Sequence, residues 1–351
     1  MSLTSRELVY RALEFKDPPR APVDFWAGDL AGKNYPKELK ELQERFPSDF
    51  GGVDDHFKTL PRTKGKKREI GEFTDAWNCT RLNIQWGVVG EVKDPIIKDW
   101  SDTSSVHFPV EFHTSDRDMI NRQVGVQSEF IYGPNWLVNP FERLQFLRGT
   151  ENVYMDLSDP PRSMLEFMKK MQDLFAKIIA LWADTDVDAI FFSDDWGSQN
   201  NLLIDPAVWR RYFKPMYKEY CEIAKAKGKK VFMHSDGNIL AIYPDLIEIG
   251  VDAVNSQVFC MGFDKLQQFS GKITFWGEID RQRLLSFAKP EEVRKAVIDL
   301  HANLWKKGGC IAQCDFGVGA KPENVMTVYE AWEKLFRNEG QQPPIILTVS
   351  M

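Results

Sequence analysis

Several things are scarce in this 351-residue chain, and each scarcity excludes something. No run approaches the roughly 18–20 apolar residues that a membrane-spanning helix needs. The five cysteines are an odd number and lie scattered. A chain of this size does not depend on disulfide staples, so reduced thiols in a cytoplasm are expected. Positive charge is in deficit, with a formal net charge of −6. A nucleic-acid partner, which needs a basic surface to neutralise phosphates, is therefore not expected. The opening MSLTSRELVYRALEF lacks the apolar core of a secretion signal and reads as an amphipathic helix. No GxGxxG run opens a helix, so a dinucleotide-binding sheet has little support. Short repeats, low-complexity tracts and long linkers are also missing.

What is present is an ordinary globular composition, 43% hydrophobic and 27% charged, of a length suited to a large α/β domain. The 11 Trp and 24 Phe supply a large core and are compatible with an aromatic-lined pocket. The second half alternates apolar runs with helical periodicity. VDAIFFSDDWG is followed by DPAVWRRYFKPMYKEYCEIAKAKG, in which Asp205 is a candidate N-cap, Pro206 the first helical residue, Pro215 a break and Gly228 a stop. KKVFMHSDG, DAVNSQ, KITFWGEID and CIAQCDF are further strands, separated by helical returns. Continuous apolar strands covered by helices suit a parallel sheet buried on both faces. With candidate strands at RAPVDFW and FGGVD, the pattern predicts an α/β fold, a (β/α)8 TIM barrel forming a single domain over 1–351. Residues about 58–150, punctuated by Gly, Pro and charge, read as an inserted β-rich excursion.

The informative feature is what stands where the strands end: Ser193-Asp194-Asp195-Trp196-Gly197, His234-Ser235-Asp236-Gly237, Asn255-Ser256-Gln257, Glu278-Ile279-Asp280 and Cys314-Asp315. A strand-end Asp usually caps the next turn or helix, and a lone His is usually structural. Five successive strands that end in imidazole, carboxylate, amide and thiol point instead to a shared pocket at one barrel rim. His234, Glu278 and Cys314, with Asp236 or Asp195, include the ligand types of zinc. The alternative is a metal-free pocket that works by hydrogen bonding and proton transfer. Cys310 shares a strand face with Cys314, which is preferred because it is nearer the strand end; Cys79, Cys221 and Cys260 read as structural.

These residues carry a resemblance. SRELVYRALEFKDPPRAPVDFW, FTDAWN…QWGVVGEVKDPIIKDW, DAIFFSDDWGSQNNLLIDPAVWRRYFKPMYKEY, VFMHSDGNI, FWGEIDRQRLL and GGCIAQCDFGVGAKPENV follow, in order, the pattern of the uroporphyrinogen decarboxylase-like superfamily. The chain resembles its corrinoid-dependent methyltransferase branch. The resemblance spans nearly the whole chain and itself implies a (β/α)8 barrel. Two departures matter. True uroporphyrinogen decarboxylases carry arginines after the first strand that meet substrate carboxylates; here that place reads FWAGDLAGKNY, without one. Thiol-methylating members bind zinc through His-x-Cys and a later Cys; here the pair is His234-Ser235-Asp236. A site with fewer thiolates is harder and better suited to polarising oxygen.

The resemblance thus implies a methyltransferase that moves a methyl group from a small methylated donor, a methoxylated aromatic ether, to the cob(I)alamin of a partner corrinoid protein. His234, Glu278 and Cys314 would hold zinc or polarise the ether oxygen, and Asp195, Asp236 and His234 would serve catalysis. Trp26, Trp196 and Gln257 would contact the substrate. The cobalamin would come with the partner, since the Asp-x-His-x-x-Gly run of a corrinoid domain is missing. A homodimer is compatible with the sequence. The alternatives are a methyl-corrinoid:thiol methyltransferase of the coenzyme M type, a decarboxylase-like lyase, and a barrel that only binds a methyl donor or tetrapyrrole.

Overall fold

The computed structural model describes residues 3–338. Among them the strands are β1 (Val23–Ala27), β2 (Gly71–Thr74), β3 (Thr80–Asn83), β4 (Glu91–Val92), β5 (Tyr132–Gly133), β6 (Ala189–Ser193), β7 (Lys230–Ser235), β8 (Ala253–Ser256), β9 (Thr274–Trp276) and β10 (Cys310–Phe316). Strands β5, β6, β7, β8, β9, β10 and β1 stand side by side in that order, every pair parallel. Helices cover the outside, which is why the runs are apolar throughout; β6 is buried at every position.

The sheet curls until its two ends are joined by the segment 49–51. The Asp49 N–H donates to the Val23 carbonyl (2.7 Å), the Phe130 N–H to the Asp49 carbonyl (2.9 Å) and the Gly51 N–H to the Phe130 carbonyl (3.0 Å). The Asp49 carboxylate fastens this seam. It accepts from the Val23 N–H (2.7 Å), from both Arg20 terminal nitrogens (2.6 and 2.8 Å) and from Ser5 (2.7 Å). The result is TIM-barrel-like. The candidate strand FGGVD contributes only this short bridge through Phe50.

Side chains that point inward from alternate positions form one core: Phe50, Phe130, Ala189, Phe191, Phe232, Ala253, Trp276 and Ile311, with Trp26 and Tyr132 against it. The Trp276 ring packs against Trp26, Phe50, Tyr132, Phe191 and Phe232. The small Ala189 and Ala253 belong to the same cluster. The outward positions form a second, larger core with the helices.

The anticipated helix over 205–228 is present and divided, as Pro215 requires: Pro206–Tyr212, capped by the Asp205 carboxylate, then Lys214–Ala226. The opening segment is the helix Ser5–Leu13, started by a capping box between Thr4 and Glu7. Within 58–150 the antiparallel sheet β2–β3–β4 covers 71–92. The rest of that stretch holds the helix Arg117–Gly125, β5 of the large sheet and the helix Pro140–Arg148. No helix among the described residues is long and apolar enough to cross a membrane.

Candidate active site

Strand alternation decides which strand-end side chains meet. His234 is in phase with Phe232, which belongs to the inner core, so its imidazole emerges at the centre of the C-terminal rim. The His234 Nε2 lies 3.5 Å from Asp195 Oδ1 and 3.8 Å from Asp236 Oδ1. Its other nitrogen, Nδ1, is 2.7 Å from Asn255 Oδ1. The Asn255 amide nitrogen donates to the Trp276 carbonyl (2.6 Å) and to Gln313 Oε1 (3.2 Å), which leaves its oxygen to accept from His234. The imidazole tautomer is therefore set, and Nε2 is turned to the two carboxylates. Burial alone would disfavour charge on His234, but Asp195 and Asp236 outweigh it and lift its pKa to about 9. Positive charge is favoured at this point, whether a proton or a metal ion supplies it.

Asp195 and Asp236 are held by the backbone as well. The Asp236 N–H donates to Asp195 Oδ1 (2.9 Å), and the Gly197 N–H donates to the Asp236 carbonyl (3.0 Å). The loops after β6 and β7 touch backbone to backbone at Gly197 and Gly237, where an added Cβ on either would collide with the main chain of the other loop. Gly237 also has φ +77°, so glycine is required there twice over.

Arg281 bridges the second oxygen of Asp236 and Glu278 Oε1, the latter at 2.9 Å. Asp236 Oδ1 and Glu278 Oε2 are buried and have no hydrogen-bond partner. Burial pushes the Glu278 carboxyl up to about 7, although Arg281 opposes this. Glu278, Gln257, Cys260 and Arg281 line a cavity of about 360 Å³. Asp315, inward from β10, feels the charges of Arg281, Asp236 and His234; burial raises its pKa.

The anticipated residues fall into three groups. His234, Asp195 and Asp236 come together, and Glu278 joins them through Arg281. Trp26 is also at the site, its ring 5.8 Å from His234 and its indole N–H donating to Asp24 (2.8 Å), while Gln257 lines the neighbouring cavity. Cys314 and Trp196 are not brought to it. Cys314 is in phase with Cys310 and Ala312, all three in the outer core, and its Sγ lies 3.7 Å from the hydroxyl of Tyr329 on the helix Pro322–Asn338. Trp196 is 0% exposed, stacked on Phe141 at 4.0 Å, with its indole N–H donating to Tyr217 (3.1 Å). Of the metal set His234, Glu278 and Cys314, only His234 belongs to a close donor cluster. The geometry instead groups Asp195, His234 and Asp236, whose ligand atoms lie within 4.8 Å of one another.

A divalent cation fits that cluster. Its donors are one imidazole and two carboxylates, and the unpartnered Asp236 Oδ1 faces His234 Nε2. Tetrahedral ligands ~2.1 Å from a zinc centre stand roughly 3.5 Å apart, close to the spacings here. Two residues escaped sequence reasoning, Arg281 and Trp136, and a third, Asp315, was noted at its strand end but passed over for Cys314. Arg281 stood in the quoted FWGEIDRQRLL, three residues after Glu278. Asp315 shared polar parity with Gln313. Trp136 sat in the turn-forming GPNWLVNP, an odd place for a bulky aromatic.

Residues 137–335, more than half of the chain, match the family model described as Uroporphyrinogen decarboxylase (URO-D). The chain belongs to the uroporphyrinogen decarboxylase family. Among solved structures it is similar to a methyltransferase from Methanosarcina mazei, with 13% identity and a TM-score of 0.64 over 95% of this chain and 100% of that one. At this identity the likeness is one of fold. A glycosylated endo-beta-1,4-xylanase from Gloeophyllum trabeum is more distant, with 10% identity and a TM-score of 0.44 over 92% and 98% of the two chains. No curated protein matches the sequence significantly. In this member of the uroporphyrinogen decarboxylase family, the cluster around His234 occupies the rim where strands β6 to β10 deliver their last residues.

Proposed function

We propose that this member of the uroporphyrinogen decarboxylase family is a methyltransferase. It would take a methyl group from a small methylated donor, an aryl methyl ether, and pass it to the cob(I)alamin of a separate corrinoid protein. The observation that carries this reading against decarboxylation is the charge of the site. Asp195, Asp236, Glu278 and Asp315 stand around His234, and the nearby guanidinium, Arg281, is already paired with two of them. The segment after β1 offers no arginine. A porphyrinogen bearing several carboxylates would meet repulsion instead of a clamp. The similarity of fold to a methyltransferase agrees with the reading.

An aryl ether is a hard methyl donor because its leaving oxygen must be stabilised as the bond to carbon breaks. Glu278, with a pKa near neutrality and an unpartnered Oε2 beside the cavity, is suited to protonate that oxygen. Asp195, His234 and Asp236 would hold zinc. Bound there, the ion would supply Lewis acidity toward the donor oxygen. Asn255 orients His234, and Arg281 keeps Asp236 and Glu278 in register. Segment 49–51 would take the eighth strand position of a (β/α)8 barrel.

The test combines the purified protein, a reduced corrinoid partner protein and 2-methoxyphenol, with cob(I)alamin methylation followed by absorbance and catechol by chromatography. Equimolar methylcobalamin and catechol are expected. Carbon dioxide release from a porphyrinogen, with no methyl transfer to the corrinoid, would replace this reading by the decarboxylase one.

A further inference from the structure

Trp136 stands apart from the other tryptophans near the site. It is 50% exposed, although its ring lies 5.2 Å from His234, 5.8 Å from Trp26 and 5.1 Å from Phe191. Those neighbours come from β7, β1 and β6, so the indole sits above the middle of the rim and not at its edge. All three contacts are edge-to-face, with interplanar angles of 70–80°. Its backbone has φ +51°, a left-handed conformation that bulky residues rarely adopt.

The loop that holds it is fastened on both sides. Tyr132 and Gly133 pair with β6, the Asn135 amide donates to the Val53 carbonyl (2.7 Å), and the Val138 carbonyl accepts from the Ser193 N–H (3.0 Å). Downstream, the Asp194 carboxylate accepts from the Phe141 and Glu142 N–H groups, both at 2.7 Å. Packing of the barrel does not need an indole that is half in solvent. Burying it in the outer core would recover more apolar area, as Trp196 does.

We infer that the open side of Trp136 is a subsite for a neutral aromatic ring, the ring of the methyl donor, and that this residue sets the preference for aryl over alkyl ethers. A flat π-system stacked there lies next to His234, which places a substituent of the ring within reach of the Asp195–His234–Asp236 cluster. The carboxylates around His234 disfavour a negative charge on that ring. The inference rests on the methyl-transfer reading for the identity of the ring but not for the binding itself.

The probes are 2-methoxyphenol and its saturated analogue 2-methoxycyclohexanol, titrated against the corrinoid-free protein and followed by ligand-observed NMR. Aromatic stacking predicts that the aryl ether binds about three- to tenfold more tightly. Trp136→Leu, which keeps bulk without a π face, should abolish that preference, and Trp136→Phe should retain most of it. Equal affinity in the parent, or a preference unchanged in Trp136→Leu, overturns the subsite. A second measurement guards against a leucine variant that fails to fold. In protein labelled with 15N-tryptophan, the indole resonance that disappears in Trp136→Phe should shift with 2-methoxyphenol and not with the saturated ether; an unmoved resonance overturns the proposal. Ring preference at Trp136 without methyl transfer would keep the subsite and remove the transferase reading. Methyl transfer without a Trp136-dependent preference would do the reverse.

Discussion

Glu278 links an electrostatic property of one residue to a rate. Its folded-state pKa lies above the ordinary value, pushed up to about 7 by burial, so the carboxylic acid persists to neutral pH. The acid form is the useful one for a leaving oxygen. Turnover of an aryl ether should therefore hold below pH 7 and fall as pH rises through that value. Glu278→Gln should lower kcat by about 10²-fold and erase the limb. A limb that persists in the variant assigns the proton to another group. Cys314 gives the opposite expectation. Its thiol touches Tyr329 in the outer core, so Cys314→Ala should match the parent protein in metal content and kcat, at a cost of about 1 kcal/mol or more for the small void. Loss of metal in that variant, measured by elemental analysis, would contradict the structure. Here sequence reasoning was limited by parity. Distance to the strand end favoured Cys314, whereas the alternation Cys310, Ala312, Cys314, Phe316 against Ile311, Gln313, Asp315 already separated an apolar face from a polar one. The polar face is the one that looks into the barrel.

At the scale of single elements, Asp194 and Asp195 show how neighbouring carboxylates divide labour. Asp195 faces His234. Asp194 points the other way, caps the helix Pro140–Arg148 and accepts from the Tyr217 hydroxyl (2.5 Å). Asp194→Ala would strand two buried donors and one half-buried one, and a loss of about 2–4 kcal/mol is expected from urea unfolding. A change below 1 kcal/mol would mean that the helix does not depend on this cap. The usual rule that a strand-end Asp caps something was correct for Asp194 and incomplete for Asp195, and sequence alone could not say which was which. The helix break near Pro215 and the cap at Asp205 were legible because both are local chemistry. The contact of Trp26 with Trp136 was not, because it joins a strand and a loop more than a hundred residues apart.

For the whole molecule, the order of the strands was readable from the alternation of apolar runs and helical periods, and five strands of the second half stand where the sequence indicated. The seam at 49–51 was only partly legible, since three residues carry too little periodicity to mark a strand. Asp49 now makes that seam testable. Asp49 is buried and gathers Ser5, the Val23 N–H and the half-exposed Arg20, so Asp49→Ala leaves the Val23 backbone donor unmatched while the guanidinium turns to solvent. A loss of about 1–3 kcal/mol is expected, as for stranding a buried backbone donor, with little added by the solvent-screened Arg20 pair. An unfolding midpoint close to that of the parent protein would show that the barrel is closed by its apolar core alone.

The contact of Gly197 with Gly237 bears on how such a site can be altered. Because the two loops are joined main chain to main chain, Asp195 and Asp236 cannot be repositioned separately by changing nearby side chains. Trp136 and Gln257 present their side chains from other segments, so either can be changed without moving the two carboxylates. Attempts to redirect this protein to a new donor should therefore succeed by substitution at those two positions, while libraries that vary residues 195–198 or 235–238 should return mostly inactive chains.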